Sequence, residues 1–333
     1  MLSFKRFNRY SLLGGMMKKI AILTRDCAGV NAAIRSVVRT AFRYNIEVVG
    51  VLKGYDGLID GNFIPLDRRS VSGIINAGGT ILKTSRSQRF LTDNGQQQAL
   101  KNIHDAGIEG LVVIGGNGSL RGAHCLASLS SVAVVGVPAT IDNDITDVDV
   151  AIGADTAVNV ALDAVDKIRD TATSLERIFV VEVMGRESGY IALQVALAGG
   201  CEEVLLPEKT SDIETMCKEI TQGNAEGKSS WIIIVAEGSA NAHDIAGVIT
   251  KKTGFETRVT VLGHIQRGGD PTAVDRILAS QLGHYAVEVL RSGHTDVCVS
   301  MKNNRFVTIP LSMAIEPKII NVAEAYTLIK LLS

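Results

Sequence analysis

Val137-Pro138-Ala139-Thr140-Ile141-Asp142-Asn143-Asp144 closes an apolar run, residues 131–137, that has the length of a buried strand. Two carboxylates two residues apart stand beside a threonine directly after that run. In an open α/β sheet, ligands bind outside the carboxyl ends of the strands. Paired carboxylates at such an end suit phosphoryl transfer, where one can accept a hydroxyl proton and the other can help hold magnesium. A solvated Asp-Asn-Asp turn is the plainer alternative, and the stretch alone divides about evenly between the two readings.

Working outward, strand and helix patterns alternate. Residues 20–24, 47–52, 110–114, 178–183 and 231–235 repeat the strand signal. Between the first two, residues 31–44 place Ile34, Val37, Val38, Ala41 and Phe42 at helical spacing. Such alternation predicts α/β architecture: two doubly wound, mostly parallel sheets, with the site in the cleft between two domains. The larger domain is expected over 17–153 plus about 266–316, and the smaller over 154–265 plus about 317–333. Residues 1–16 carry Lys5, Arg6 and Arg9 without an acid, and Met16-Met17 precede the first strand signal. They read as a disordered or misassigned leader rather than a targeting peptide, since they lack a long apolar core.

Composition narrows the function classes. A formal net charge of −1 gives no whole-chain field toward nucleic acid or a membrane surface. The apolar runs are far too short to span a bilayer. The five cysteines are scattered, with no CxxC pair, so neither zinc nor disulfides are indicated and a reducing cytoplasm is the simplest compartment.

Several strand-like runs end in glycine-rich or polar turns. Residues 110–114 lead into Gly115-Gly116-Asn117-Gly118-Ser119, where backbone amides can approach phosphate oxygens. Residues 178–183 lead into Met184-Gly185-Arg186, and 231–235 into Ala236-Glu237-Gly238. Arg258 and then Gly263-His264-Ile265-Gln266-Arg267-Gly268-Gly269 follow. A phosphorylated sugar needs fixed cations for its phosphate, which Arg177, Arg258, His264 and Arg267 could supply, and polar groups such as Glu237 for its hydroxyls. Singly, each arginine reads as a surface cation and His264 as a structural histidine. Their joint placement near strand ends is what points to a site.

Together, Thr140-Ile141-Asp142-Asn143-Asp144, Val183-Met184-Gly185-Arg186 and Gly263-His264-Ile265-Gln266-Arg267-Gly268-Gly269 resemble the bacterial, ATP-dependent 6-phosphofructokinases. Asn31-Ala32-Ala33-Ile34-Arg35 and Gly78-Gly79-Thr80 agree, and the resemblance runs from about residue 17 to about 299. It implies a cytoplasmic glycolytic homotetramer that transfers a phosphoryl group from ATP, with Mg2+, to the 1-hydroxyl of fructose 6-phosphate. By this resemblance Asp142 is the base, with Thr140 and Arg186 beside it in catalysis and Asp144 on the metal. Met184, Gly185, Arg186 and Glu237 hold the sugar. Arg177, Arg258, His264 and Arg267 surround its phosphate, Arg177 and Arg258 reaching in from a neighbouring subunit. Arg25, Arg86, Gly116, Asn117, Gly118, Ser119 and Gly122 fall on the nucleotide side. Arg35, Arg39, Arg68, Arg169, Glu202 and Lys228 match an intersubunit site for ADP or phosphoenolpyruvate, although Glu226 stands where that site has a second lysine.

The donor side departs from the family pattern. Thr-Ser-Gly-Gly-Asp after the first strand is replaced by Thr24-Arg25-Asp26-Cys27-Ala28-Gly29, which is two residues shorter. Asn117 replaces an aspartate and is a poorer magnesium ligand. The acceptor half therefore reads as whole and the donor half as eroded. Relatives using pyrophosphate carry Asp at the place of Gly118 and Lys at that of Ala139, so a nucleotide is the expected donor, ahead of pyrophosphate. The erosion keeps open a weakened or inactive sugar-phosphate-binding regulatory subunit.

Overall fold

In the computed structural model, which describes residues 17–333, the apolar runs become strands within a residue or two of their expected bounds. The expected leader, 1–16, lies outside the described residues. The strands are β1 (Lys19–Thr24), β2 (Glu47–Val51), β3 (Phe63–Leu66), β4 (Gly110–Gly115), β5 (Ala133–Pro138), β6 (Ile178–Val183), β7 (Glu203–Leu205), β8 (Trp231–Ala236), β9 (Thr257–Val261), β10 (Val297–Lys302) and β11 (Arg305–Pro310). They form a seven-stranded sheet of order β11-β10-β5-β4-β1-β2-β3 and a four-stranded sheet of order β7-β8-β6-β9. All pairings are parallel except the two at the edges of the larger sheet, β2–β3 and β10–β11. The α/β, mostly parallel architecture expected from the alternation is present.

Strand order explains where crevices open. In the larger sheet the chain leaves β1 toward β2 on one side, while β4 and β5 lie on the other. Loops after β1 and β4 therefore diverge, which is the switch point at which doubly wound sheets bind ligands. In the smaller sheet β6 and β8 are neighbours, and Val183 pairs with Ala236 at their carboxyl ends. The loops carrying Met184–Arg186 and Glu237 thus leave the sheet side by side.

Helix Val30–Arg43 covers one face of the larger sheet and packs against helix Ala273–Arg291. Val30, Ile34, Val37, Val38 and Ala41 are buried along its inner stripe. Phe42, at the edge of the expected apolar face, is exposed instead, with Arg68 over its ring at 5.5 Å. One apolar cluster runs from Ile22 and Ile34 through Val137 to Val183, Ile191 and Ile234, so both sheets rest on a shared core. All five cysteines are free thiols.

Candidate active site

The Thr140–Asp144 segment is held from both sides. The Ala139 amide donates to the Gly115 carbonyl at 3.0 Å, and the Thr140 amide to that of Ile152 at 3.0 Å. Thr140 Oγ1 accepts from the Asp142 amide at 3.2 Å, and Ser188 Oγ donates to the Asp142 carbonyl at 2.7 Å. Asn143 sits at φ 48°, a left-handed conformation asparagine tolerates better than most residues. Its side chain donates to the Asp149 carbonyl and accepts from the Ala151 amide. Asn143 is therefore a brace, and it holds the segment without using either neighbouring carboxylate.

Asp142 is only 3% exposed. Burial, and secondarily the charge of Asp144, push its carboxyl up to about 6, against the pull of Arg186 and Arg267. One oxygen, Oδ2, lies 3.6 Å from Arg186 Nε, while Oδ1 is buried without a partner. A buried carboxylate with a free lone pair and a pKa near neutrality is suited to accept a proton.

The sugar-side loop is similarly braced. Glu237 Oε1 accepts from the amides of Gly185, at 3.3 Å, and Arg186, at 2.9 Å. Gln266 Oε1 accepts from the Met184 amide at 3.3 Å. Gly185 has φ 153°, and a Cβ there would stand 2.2 Å from the Ser188 carbonyl oxygen. Arg186 itself takes φ 55°, outside the ordinary range for a non-glycine residue. Arg267 lies near enough to lower the Asp142 carboxyl, and His264 is exposed on the same short turn, Gly263–Arg267.

Arg177 and Arg258 are elsewhere. Register pairs Phe179 with Arg258 at the amino ends of β6 and β9, and both arginines bind Glu256. A six-residue strand puts them roughly 20 Å from Met184–Arg186, at about 3.3 Å per residue. Within one chain they do not meet Asp142.

On the larger sheet, helix Asn117–Leu129 starts directly after Gly116, bringing Asn117, Gly118 and Ser119 to the switch point. Asn117 Nδ2 donates to Asp144 Oδ2 at 2.8 Å and to the Asp144 carbonyl at 3.1 Å. A Cβ added at Gly118 would meet nothing within 4 Å, so space is open above it. Gly122 is different: a Cβ there would stand 2.4 Å from the Tyr55 ring, so packing already demands glycine. Arg25 donates from Nη1 to the Ser85 carbonyl at 2.8 Å. Burial, then the charges of Arg86, Arg186 and Arg267, lower its pKa. Three buried oxygens here lack partners: Asp142 Oδ1, Asp144 Oδ1 and Asn117 Oδ1. Oxygens are the ligands a small hard cation such as magnesium takes, but Asn117 Oδ1 is neutral and the other oxygen of Asp144 is already engaged by Asn117, so the set fits the cation only in part.

The expected effector residues form two separate groups. Arg35 and Arg39 share a face of helix Val30–Arg43, Arg39 Nε being buried without a partner, and Arg68 lies beyond Phe42. Arg169 donates to the carbonyls of Gly199 and Gly200, while Lys228 lies 3.3 Å from buried Glu202. No hydrogen bond or ion pair joins the two groups among the described residues.

No motif in the sequence marks a role for Gln266, Ser188, Tyr55 or Lys318. The first two lie inside or just after quoted motifs, so their place was visible although their bonds were not. Tyr55 reaches the Ser119 carbonyl, and Lys318 donates to those of Asn143 and Val148. Both act across long stretches of chain that no local pattern marks.

Known proteins place the chain in a family. Residues 19–290 match the family described as Phosphofructokinase. The ATP-dependent 6-phosphofructokinase of Thermotoga neapolitana is 50% identical over 304 residues, 91% of this chain and 95% of that one. That of Halothermothrix orenii is 48% identical over 331 residues, 95% and 100% of the two chains. Among solved structures, phosphofructokinase from Saccharomyces cerevisiae superposes with a TM-score of 0.85 at 33% identity, over 90% of this chain and 45% of that longer one. A pyrophosphate-dependent phosphofructokinase from Marinobacter aquaeolei, at 21% identity and a TM-score of 0.83 over 92% and 86%, shares the fold. The chain belongs to the phosphofructokinase family.

Proposed function

We propose that the protein transfers the γ-phosphoryl group of ATP to the 1-hydroxyl of fructose 6-phosphate, a step of glycolysis. The sugar oxygen forms a bond to phosphorus, the bond from phosphorus to the ADP oxygen breaks, and the hydroxyl proton passes to Asp142. The observation that carries this reading is Asp142 itself: buried, raised to about 6, with one oxygen free and an arginine on the other. Thr140 positions the Asp142 amide, and Arg186 and Arg267 keep the carboxylate ionised near neutral pH. Met184, Gly185, Arg186 and Glu237 would hold the sugar. His264 and Arg267 would take its phosphate, joined by Arg177 and Arg258 of a neighbouring subunit in a homotetramer. Their position at the far end of β6 supports such sharing.

Arg25, Arg86 and the helix start Gly116-Asn117-Gly118-Ser119 would face the nucleotide, with Gly122 packed behind it against Tyr55. Asp144 and Asn117 would hold magnesium, which when bound offsets charge on the transferring phosphate. Arg35, Arg39 and Arg68 of one subunit, with Arg169, Glu202 and Lys228 of another, would form a site for ADP or phosphoenolpyruvate. Sheet membership supports the domain division at about 153 and 266, with the last helix, Ala323–Leu332, packing on the smaller sheet's side. Among the described residues no helix is long and apolar enough to cross a membrane; we place the protein in the cytoplasm. A coupled assay of the purified protein with fructose 6-phosphate, comparing ATP, other nucleotides and pyrophosphate, tests the reading. ATP should support turnover best; turnover with none of them, or with pyrophosphate alone, overturns it.

A further inference from the structure

We propose that this chain neutralises its donor's phosphates chiefly with the Arg25 guanidinium, in place of a cation anchored by paired carboxylates, and so binds metal-free ATP nearly as well as its magnesium complex. The inference rests on the kinase reading and concerns residues on the donor side alone.

Arg25 is fixed where a phosphate would lie. It follows β1 at the switch point, and its amide donates to the Ile114 carbonyl at 2.9 Å. Its stem crosses the end of β4, where a Cβ at Gly115 would stand 3.1 Å from Arg25 Cγ. Nη1 is tethered to the Ser85 carbonyl, which leaves other guanidinium donors free. The side chain is thus held beside the first turn of helix Asn117–Leu129, whose amides favour an anion.

The charges around it are unbalanced. Arg86, Arg186 and Arg267 all act on Arg25 with the same sign, and the exposed Asp26 opposes them. Among the described residues, Arg25, Arg86 and Arg267 form no ion pair, and Arg186 has only Asp142 at 3.6 Å. Converging guanidinium groups repel one another unless a polyanion lies between them. A guanidinium also matches phosphate oxygens in a planar, two-pronged way that a bound cation does not.

Opposite them, the cation's anchor is partly closed. Asp144 Oδ2 is occupied by the Asn117 amide at 2.8 Å, and the same NH2 reaches the Asp144 carbonyl, which fixes the amide's orientation. The neutral donor satisfies one of the two carboxylate oxygens and leaves Asp144 a single open oxygen. Asp144 Oδ1 and the neutral Asn117 Oδ1 remain, a weak set for a cation that favours carboxylates.

Calorimetric titration of the protein with ATP, once with magnesium and once with excess chelator, tests this directly. The two dissociation constants should agree within about tenfold. Arg25→Met should weaken metal-free ATP by about tenfold to a hundredfold, as for a lost charge-assisted contact, and the magnesium complex less. Arg25→Lys, which keeps the charge and the fold, should recover part of the loss. Asn117→Asp should weaken metal-free ATP while sparing the magnesium complex. Wild-type protein binding metal-free ATP more than about a hundredfold more weakly overturns the inference, as does an Arg25→Met loss equal for both forms. If magnesium-ATP is turned over yet metal-free ATP is not bound, only this inference falls. If metal-free ATP binds and no turnover occurs with magnesium, the kinase reading falls and the anion site stands.

Discussion

Around the sugar-side loops polar side chains brace backbone and leave an oxygen of Asp142 free, whereas around the donor-side loops Asn117 and Arg25 are themselves tied to protein groups. Glu237 and Gln266 fix three successive amides, and Ser188 fixes the Asp142 carbonyl, so the reactive carboxylate keeps a free oxygen. On the donor side Asn117 occupies Asp144, and Arg25 leans on a loop carbonyl. The first half, braced in this way, would meet a ligand already set, and preorganised groups stabilise developing charge without reorganisation. The second must exchange internal bonds for ligand bonds, each exchange lowering net affinity. The family resemblance is dense on the sugar side and thin at Arg25 and Asn117, and the geometry divides along the same line.

The largest effect should come from the sugar side's free oxygen. Asp142→Asn keeps size and most contacts but cannot accept the proton, and general-base catalysis is worth about 10²–10⁴-fold. Turnover should fall by that factor while fructose 6-phosphate still binds. In the wild type, kcat/KM for the sugar should fall on the acid side near pH 6, where Asp142 protonates. An active wild type whose Asp142→Asn variant turns over normally would remove Asp142 as the base.

The same substitution should stabilise the fold. Asp142 is raised from the ordinary 3.8 to about 6, so the folded protein binds its proton more tightly than the unfolded chain does. Ionised Asp142 therefore costs folding free energy, fully above about pH 6, and the cost fades as pH falls toward 4. A rise of that size corresponds to roughly 3 kcal/mol at neutral pH. Denaturant titrations at pH 7.5 and 5 (chosen to bracket the shift) should show Asp142→Asn more stable at the higher pH, with a smaller gain at the lower. A gain that grows on acidification contradicts the assignment.

If the sugar half is completed across an interface, Arg258→Ala should raise the fructose 6-phosphate constant about tenfold to a hundredfold and leave that for ATP alone. Mixing Arg258→Ala and Asp142→Asn chains should restore part of the activity, since a hybrid can draw its base from one chain and its arginine from the other. Confirmed hybrids with no recovery count against sharing.

Much of this contrast is legible in the sequence itself. Strands such as Trp231–Ala236 are buried on both faces, and their unbroken apolar runs announce themselves. Thr257–Val261 and Arg305–Pro310 are edge strands with mixed polarity, and Glu203–Leu205 is three residues long, so none rises above a loop signal. Site residues were readable as motifs because their chemistry is local. Their braces were not, since Lys318 and Tyr55 act on backbone carbonyls far away in sequence. Nor could sequence show that Asn117 would turn its NH2 onto Asp144, which depends on the relative height of two strand ends.

Tyr55 offers the smallest and sharpest test. Its hydroxyl donates to the Ser119 carbonyl at 2.5 Å, while its ring fills the space beside Gly122 and stacks on Phe90 at 4.1 Å. It is a donor-side side chain that braces backbone as the sugar-side residues do. Tyr55→Phe keeps the ring packing and removes one hydrogen bond, worth about 0.5–1.5 kcal/mol. If that bond holds the first turn of helix Asn117–Leu129 in place for the nucleotide, the ATP constant should rise two- to tenfold, with the sugar constant unchanged. Saturation curves for both substrates, run beside thermal unfolding, separate the outcomes. A loss of stability with both constants unchanged would make Tyr55 a packing residue and leave the donor half without a brace of its own. An equal rise in both constants would mean that the two halves are coupled through that helix.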